Sequence, residues 1–300
     1  RDLHYPLRRQ RQMCIRDSFI GANEKTSGIA ISPDGTKIFV TKFNDGSDIC
    51  LYQYSLDTAF DISSKNAGSE EKLALNPAGD PISNQTDDIT FNNDGTKLFA
   101  ISDNGAMNIH ILSTPYDISD ATLVADDGIN WSTYKNPWGS SNTTMLPQTI
   151  RFNNDGTKMY LTEAVINTTD PQESVGVVQY NLATPFVPSS TTTVQALNLR
   201  AQFPKTNIAI HAMNFDDDGT RMYVSAGNFL AKTDHPHAVY ELSIPFEISS
   251  AKHVGTFNFV NASGGGVRAV GGVFSDDGNK YYMTTGSGNS VVEYTLTCPF

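Results

Sequence analysis

Cysteine, tryptophan and charged residues are all scarce in this 300-residue sequence. It contains three cysteines and two tryptophans, and charged residues make up 18% of it. No CxxC pair and no cysteine–histidine cluster has the spacing of a zinc site, so a zinc-binding domain has no support. Cys50 and Cys298 fall in strand-like runs. We interpret them as buried thiols, with a disulfide bridge as the alternative.

Long apolar runs and several enzyme motifs are also missing. No run reaches the length that crosses a bilayer, so we expect no membrane insertion. The sequence has no GxxxxGK, GxSxG or HExxH motif, so the corresponding enzyme classes have no positive support. Glycine, asparagine, aspartate, serine and threonine are abundant, which is typical of short strands joined by turns rather than of a helical bundle.

The first eighteen residues differ in charge from the rest of the chain. They hold five of the nine arginines, whereas residues 19–300 have a net charge of −14. Residues 11–18 resemble a translated sequencing-adapter sequence, so we interpret residues 1–18 as a non-native or disordered leader. A basic arm for nucleic acid or a membrane surface is the alternative. The acidic remainder predicts that nucleic acid is not a partner.

One tetrad centred on Asp-Gly recurs five times along the chain. Its glycines lie 60, 61, 63 and 59 residues apart. Because Asp-Gly between apolar runs supplies the positive φ angles of a tight turn, each tetrad predicts a β-hairpin. The five copies are Asp34-Gly35-Thr36-Lys37, Asp94-Gly95-Thr96-Lys97, Asp155-Gly156-Thr157-Lys158, Asp218-Gly219-Thr220-Arg221 and Asp277-Gly278-Asn279-Lys280.

Two further strand patterns complete each unit. A third run is followed by a turn such as Thr114-Pro115-Tyr116-Asp117, in which we expect the aromatic ring to pack beneath the turn. A weaker fourth run precedes the next unit. Four antiparallel strands per unit, repeated at nearly constant spacing, predict an all-β fold, a β-propeller of five four-stranded blades of about 60 residues. The third runs end at the aligned residues Tyr54, His110, Tyr180, Tyr240 and Tyr294.

We place the propeller at residues 19–300. The last unit lacks a fourth strand of its own, so we expect residues near 19–21 to complete it and close the ring. A fragment of a larger propeller would give the same pattern. The units run over about 19–78, 79–139, 140–202, 203–261 and 262–300.

The segment Ser32-Pro33-Asp34-Gly35-Thr36-Lys37 and the Ile38-Phe39-Val40 after it resemble the repeat core of bacterial propellers of the YVTN, lactonase-like and TolB-like kinds. The extension Tyr-x-Leu-x-x-Pro-Phe-x-Ile-Ser resembles repeats of environmental bacterial and phage-associated proteins. The resemblance covers about residues 19–300 and implies the fold more than an activity. With it we expect an extracellular or periplasmic location, or one on a virion surface.

Variation between the units predicts where a site lies. The uniform Asp-Gly turns indicate a structural face, whereas the opposite loops vary, and functional residues favour such loops. We expect Lys42, Asp103 and Glu163 near the channel mouth on the variable side. Asp87, Asp103, Glu163 and His211 are candidate catalytic groups, and the three carboxylates are candidate ligands of a divalent cation such as calcium. Polar side chains facing trapped water are the alternative. The repeat alignment makes Ser27, Asp87, Gln148, His211 and Val270 equivalent.

Aromatic and imidazole residues on the variable loops are candidate binding groups. Trp131, Trp138 and Phe229 could stack on a sugar or a partner, with packing between blades as the alternative. His235 and His237 flank Pro236 in the densest histidine feature of the sequence. A metal-binding role would need a third ligand such as His211 or Glu163, and an exposed polar loop in which Pro236 sets the turn is the favoured interpretation. We predict a monomeric, non-catalytic binding module that presents this face, including Glu163, to a protein or glycan. The competing hypothesis is a lactonase- or glycosidase-like hydrolase with carboxylates at the channel mouth.

Overall fold

The computed structural model describes residues 15–17, 25–43, 49–75, 86–102, 106–124, 147–163, 175–203, 208–228, 236–258, 269–285 and 290–296. Side chains are described for these residues except 15–17, Phe43, Glu163, Ile208 and Asn228. The strands are β1 (Ile15–Asp17), β2 (Lys25–Ile31), β3 (Lys37–Phe43), β4 (Ile49–Ser55), β5 (Glu71–Ala74), β6 (Asp88–Phe91), β7 (Lys97–Ile101), β8 (Met107–Ile111), β9 (Thr122–Val124), β10 (Pro147–Phe152), β11 (Lys158–Glu163), β12 (Gly176–Leu182), β13 (Thr191–Asn198), β14 (Ile208–Phe215), β15 (Arg221–Asn228), β16 (Pro236–Leu242), β17 (Ala251–Asn258), β18 (Ala269–Phe274), β19 (Lys280–Thr285) and β20 (Ser290–Thr295).

These strands form five four-stranded antiparallel sheets, which confirms the predicted five-bladed β-propeller. Blades 1 to 4 have the orders β2-β3-β4-β5, β6-β7-β8-β9, β10-β11-β12-β13 and β14-β15-β16-β17, and blade 5 has the order β18-β19-β20-β1. The first strands β2, β6, β10, β14 and β18 each contact the first strands of both neighbouring blades, so they surround a central channel. Within the described part of the chain, no helix has the length and apolarity that a bilayer span requires.

The strand that completes blade 5 lies earlier in the chain than expected. Ile15, Arg16 and Asp17 pair with Glu293, Val292 and Val291 of β20. The prediction placed this strand near residues 19–21 and treated 1–18 as a leader outside the fold, so both boundaries need correction. A strand at the outer edge of a blade pairs through main-chain hydrogen bonds, so many different side chains are compatible with it. The position of β1 could therefore not be predicted from composition. That residues 11–18 derive from a sequencing adapter stays a prediction.

Each predicted hairpin turn is built around a glycine with a positive φ angle. The five tetrad glycines have φ values between +66° and +71°, which other residues adopt only with strain. In the first turn the Asp34 carboxylate accepts the Thr36 N–H (3.0 Å), and the Ser32 hydroxyl accepts the Lys37 N–H (2.9 Å). The same cap on the turn-closing N–H is supplied in the other blades by Asn92, Asn153, Asp216 and Ser275.

The Pro-aromatic turn, in which Ala59 replaces the proline in blade 1, packs against the Asp-Gly turn of its own blade. In blades 1 to 4 the aromatic N–H donates to the carbonyl of the tetrad glycine at 2.9–3.0 Å. A Cβ added to that glycine would collide with the aromatic ring. The aromatic residue itself has a positive φ, between 53° and 63°, a strained state that its ring contact and hydrogen bond stabilise. These aromatics are Phe60, Tyr116, Phe186 and Phe246.

The hydrophobic core lies between the blades. One cluster joins Phe99 and Ile109 of blade 2 to Ile150 and Tyr180 of blade 3, all of them buried. Another joins Ile38 of blade 1 to Tyr282 and Val291 of blade 5. Each blade therefore buries both of its faces against neighbours, and the ring has no open apolar end among these contacts.

At three of the junctions between blades, one buried hydrogen bond links the two neighbouring blades. The first N–H of a 3₁₀ turn donates to a side-chain oxygen on the third strand of the preceding blade. Because this N–H lies at the start of the turn, it has no partner within the turn itself. The pairs are Ile118 with Gln53 (3.0 Å), Ile248 with Gln179 (3.0 Å) and Ile62 with Glu293 (3.1 Å).

The junction between blades 2 and 3 has neither the donor nor the acceptor of this hydrogen bond. Ile109 occupies the third-strand position and has no acceptor. The turn that faces it begins with Pro188, which has no N–H to satisfy. Donor and acceptor are thus either both present or both missing at each of the four described junctions.

Candidate functional site

The first strands are irregular at the end of the channel that faces the variable loops, which we call the loop face. The pairing register of β2, β10, β14 and β18 shifts within Thr26–Ile29, Pro147–Thr149, Ile210–Ala212 and Ala269–Gly271. The shifts fall at the residues that the repeat alignment makes equivalent. A β-bulge changes the direction in which the following side chains point, and bulges are common next to functional sites. The first strands therefore change direction at the loop end of the channel.

Hydroxyl groups connect the blades at this level. The Thr284 hydroxyl of blade 5 donates to the Ser27 carbonyl of blade 1 (2.5 Å). The Ser27 hydroxyl in turn donates to the Thr86 carbonyl of blade 2. Within blade 1, the Thr41 hydroxyl accepts the Gly28 N–H (2.7 Å). The irregular strand ends are therefore held in place by specific hydrogen bonds rather than by packing alone.

The polar candidates at the loop end of the channel are buried. Asp87 is 7% exposed and His211 is 4% exposed. Among residues whose side chains are described, no group of three or more His, Cys, Asp and Glu could hold a metal ion. Asp103 and the Glu163 side chain lie outside that set. Convergence of Asp87, Asp103 and Glu163, and with it the hydrolase hypothesis, stays a prediction.

Lys42 was expected near the channel mouth, but its ammonium group contacts two tyrosines on the third strand of its own blade. Its ammonium group donates to the Tyr54 hydroxyl (2.8 Å) and lies 4.1 Å from the centre of the Tyr52 ring. The Tyr54 hydroxyl donates to Glu70 (2.7 Å). Side chains of second strands alternate between the two faces of a blade, so the end of such a strand does not by itself direct a side chain to the axis.

His237 lies in a strand rather than in the predicted loop. It is the second residue of β16 and is 3% exposed. Its ring stacks on Phe257 at 5.2 Å and meets Tyr281 of blade 5 edge-on at 5.8 Å. The exposed-loop interpretation of His237 is therefore wrong, because apolar rings of two blades enclose it. The other candidate binding residues, Trp131, Trp138, Phe229 and His235, lie outside the described residues.

A cavity of about 530 Å³ opens on the opposite face, which carries the Asp-Gly turns. We call it the turn-face cavity. Ligand sites typically have volumes of roughly 300–1,000 Å³. The uniform turns predicted a structural role for this face, but the sequence of a single turn does not reveal the space between the five turns. The aromatic residues of its wall are Phe91, Tyr116, Phe152, Phe215, Phe246 and Phe274.

Arg151 lies at the inner end of the turn-face cavity and joins four blades. Its guanidinium donates to the Asp88 carboxylate of blade 2 (2.5 Å), to the Asn214 side chain of blade 4 (3.4 Å) and to the Gly272 carbonyl of blade 5 (3.2 Å). Burial raises the pKa of Asp88, while Arg151 and the Ile150 N–H (3.1 Å) oppose that rise. Arg151 was not among the residues predicted from the sequence, although its aligned counterparts Ala30, Thr90, Asn214 and Val273 are all uncharged.

The rim of the turn-face cavity is acidic. Asp216, Asp217 and Asp276 line it. Burial raises the pKa of Asp217, and the neighbouring Asp276 and Asp218 raise it further. Burial also raises the pKa of Tyr116 to about 12, with contributions from Asp94, Asp276 and Asp34. The aspartates that contribute to both shifts place several negative charges around the opening.

Comparisons with known proteins add the following. The sequence matches no protein-family model and no curated protein. Among solved structures, it is similar to the β-propeller domain of Cps50 (Swd1) from Myceliophteria thermophila, with a TM-score of 0.47 and 8% identity over 95% of this chain and 100% of that chain. The assignment of the fold rests on the strand pairing and the closed ring of first strands described above.

Proposed function

We propose that this chain is a non-catalytic binding module whose loop face recognises a protein or a glycan. The supporting observation is that a uniform scaffold carries unequal connections on one face. All five Asp-Gly turns share one backbone geometry, and buried hydrogen bonds link successive blades. A rigid frame of this kind holds its loops at fixed separations, which lowers the entropy lost when a partner binds.

The described strand ends at the loop face are joined by stretches of sequence of unequal length. Between second and third strands, the chain runs from Glu163 to Gly176 in blade 3 but only from Thr285 to Ser290 in blade 5. The connection from blade 2 to blade 3 runs from Val124 to Pro147 and contains both tryptophans. Tryptophan is enriched among residues that dominate binding energy. We therefore assign recognition to Trp131 and Trp138, with Glu163, Phe229 and His235 as further contributors.

The proposal includes a monomeric state and a location outside the cell or on a virion. The resemblance of the repeats to YVTN, lactonase-like, TolB-like and phage-associated propellers supports this location. The net charge of −11 supports solubility without a partner subunit.

The experiment begins with two probes, a glycan array and a phage-displayed peptide library, each screened with the purified 300-residue chain. The Kd of the strongest ligand is then measured for the parent and for Trp131→Ala and Trp138→Ala. We expect at least one variant to weaken binding about tenfold or more, since large aromatic anchors commonly contribute over about 1.4 kcal/mol.

The matched control is Val254→Ala, which shortens an apolar side chain that is 47% exposed on the outer strand β17. It should bind like the parent. Circular dichroism melts confirm that all variants fold. If both tryptophan variants bound every selected ligand like the parent, the assignment of the loop face would be wrong.

A further inference from the structure

The turn-face cavity lies at the other end of the channel from the loop face and is open to solvent. Residues of all five blades line it. Its existence does not depend on the function proposed for the loop face. The question is which ligand chemistry suits a cavity with an aromatic wall, an acidic rim and an arginine at its inner end.

The rim position two residues before each tetrad glycine supplies the first clue. In blade 2 the side-chain amide of Asn93 donates to the main-chain carbonyl of Asn154 in blade 3. The side-chain amide of Asn154 donates in turn to the main-chain carbonyl of Asp217 in blade 4 (2.6 Å). The next two positions are Asp217 and Asp276. An ionised carboxylate cannot donate. The run of amide donors therefore ends at blade 4, and two carboxylates replace it.

The second clue is the direction of the basic side chains on this face. Three of the four lysines that follow the Asp-Gly turns form ion pairs outside the cavity: Lys37 with Asp117 (3.1 Å), Lys158 with Glu247 (2.9 Å) and Lys280 with Glu293 (2.7 Å). None of these three lysines lines the cavity. They leave the charge of the rim aspartates in place.

Arg151 does not offset the rim, because its charge is matched by Asp88, which is 1% exposed on its side chain. The cavity thus combines excess negative charge, a shortage of donors at blades 4 and 5, and aromatic faces. A ligand that is both cationic and rich in N–H donors meets all three conditions, because aromatic faces also attract cations. We propose that the turn-face cavity accepts the guanidinium or ammonium group of a basic side chain on a partner protein.

The test uses a fluorescein-labelled Gly-Ser-Arg-Gly-Ser peptide and its citrulline counterpart. Citrulline keeps the shape of arginine but has no charge. Fluorescence anisotropy at low ionic strength should show saturable binding of the arginine peptide and at least tenfold weaker binding of the citrulline peptide. Equal binding of the two peptides would overturn the proposal.

Rim variants locate the binding. Asp217→Asn and Asp276→Asn should weaken the arginine peptide about threefold each and about tenfold together, whereas Glu71→Gln, which removes the same charge as one rim variant but on the exposed strand β5, should leave its Kd within twofold. Asp217 and Asp276 are exposed, so the double variant should keep the melting temperature of the parent. An unchanged Kd in the folded rim variant, or an equal loss in the β5 control, would refute the site.

Two further arms exclude other ligands. The Kd should rise as the pH falls toward the pKa of Asp217, which burial raises, because protonation of this rim carboxylate removes a charge that attracts the peptide. Calcium chloride at about 1 mM should weaken binding no more than sodium chloride of equal ionic strength. Complete displacement of the peptide by calcium would mean that the rim is a metal site instead.

Discussion

The matched donors and acceptors at the blade junctions predict a specific energetic coupling between Gln179 and Ile248. Gln179 is fully buried, and its side-chain oxygen accepts the Ile248 N–H at 3.0 Å. Its amide nitrogen also donates to Asn181 (3.0 Å) and Glu247 (3.3 Å). The substitution Gln179→Leu keeps the volume of the side chain but removes the only acceptor that the structure shows for this N–H.

The size of the effect follows from the environment of Ile248, which is 0% exposed. A buried N–H without a partner costs about 1–3 kcal/mol. We expect Gln179→Leu to destabilise the protein by about 2 kcal/mol. In domains of about 150–250 residues, a loss of 1 kcal/mol in the free energy of unfolding lowers the melting temperature by about 2–4 °C. The melting temperature of Gln179→Leu should therefore fall by about 5 °C.

The blade 2–3 junction suggests the compensating change. There Pro188 follows Val187, whose φ and ψ are −122° and 92°. Glu247 before Ile248 has nearly the same values, −116° and 100°, which are compatible with a following proline. In an Ile248→Pro background no N–H remains, so Gln179→Leu should cost about 1.5 kcal/mol less than in the parent, and the remaining cost reflects the lost bonds to Asn181 and Glu247.

Urea denaturation followed by far-ultraviolet circular dichroism measures all four proteins of this double-mutant cycle. The account predicts a coupling energy of about 1.5 kcal/mol, within the range for residues in contact. An equal cost of Gln179→Leu in both backgrounds would refute the reasoning, since the hydrogen bond would then contribute nothing specific to the junction.

Three other predictions concern the turn, the channel and the closure of the ring. Gly219→Ala should cost at least about 2 kcal/mol, because its φ is +71° and the new Cβ would collide with Phe246; Gly255→Ala, with nothing within 4 Å, should be neutral or slightly stabilising in urea denaturation. Arg151→Met removes the cation beside Asp88, so burial raises the pKa of Asp88 further, against only the main-chain N–H groups of Ile150 and Ile89, and the folded protein favours the protonated form. The loss should be about 3 kcal/mol at pH 7 and should shrink toward pH 4; a loss independent of pH in the same assay would contradict this. Thr284→Val removes the hydrogen bond from blade 5 to Ser27 of blade 1 and should cost about 1 kcal/mol, whereas Thr284→Ser should retain most of the stability in thermal melts.

Local chemistry explains why the blades could be predicted from the sequence. Asp-Gly between apolar runs requires a positive φ, and all five tetrad glycines have it. The aromatic in the Pro-aromatic turn was expected beneath the turn, and Phe60 and its counterparts do pack on the tetrad glycine. These features depend on residues close together in sequence, so a repeated pattern exposes them.

Features that depend on long-range contacts were missed or misplaced. The loop assignment of His237 failed because nothing nearby in sequence shows that Phe257 and Tyr281 enclose it. The turn-face cavity arises from residues of five blades, and Arg151 meets Gly272 across 121 positions of sequence. The closing strand at Ile15–Asp17 pairs through its main chain, which leaves little trace in composition.

The most direct test of the closed ring is a methyl NOESY spectrum of the isoleucine- and valine-labelled protein. Ile29 and Ile38 of blade 1 share a buried cluster with Val291 of blade 5, although more than 250 residues separate them in sequence. The account predicts cross-peaks between the Val291 methyl groups and those of Ile29 or Ile38. Assigned spectra in which Val291 shows contacts only within blade 5 would contradict a ring and indicate blades arranged in an open row.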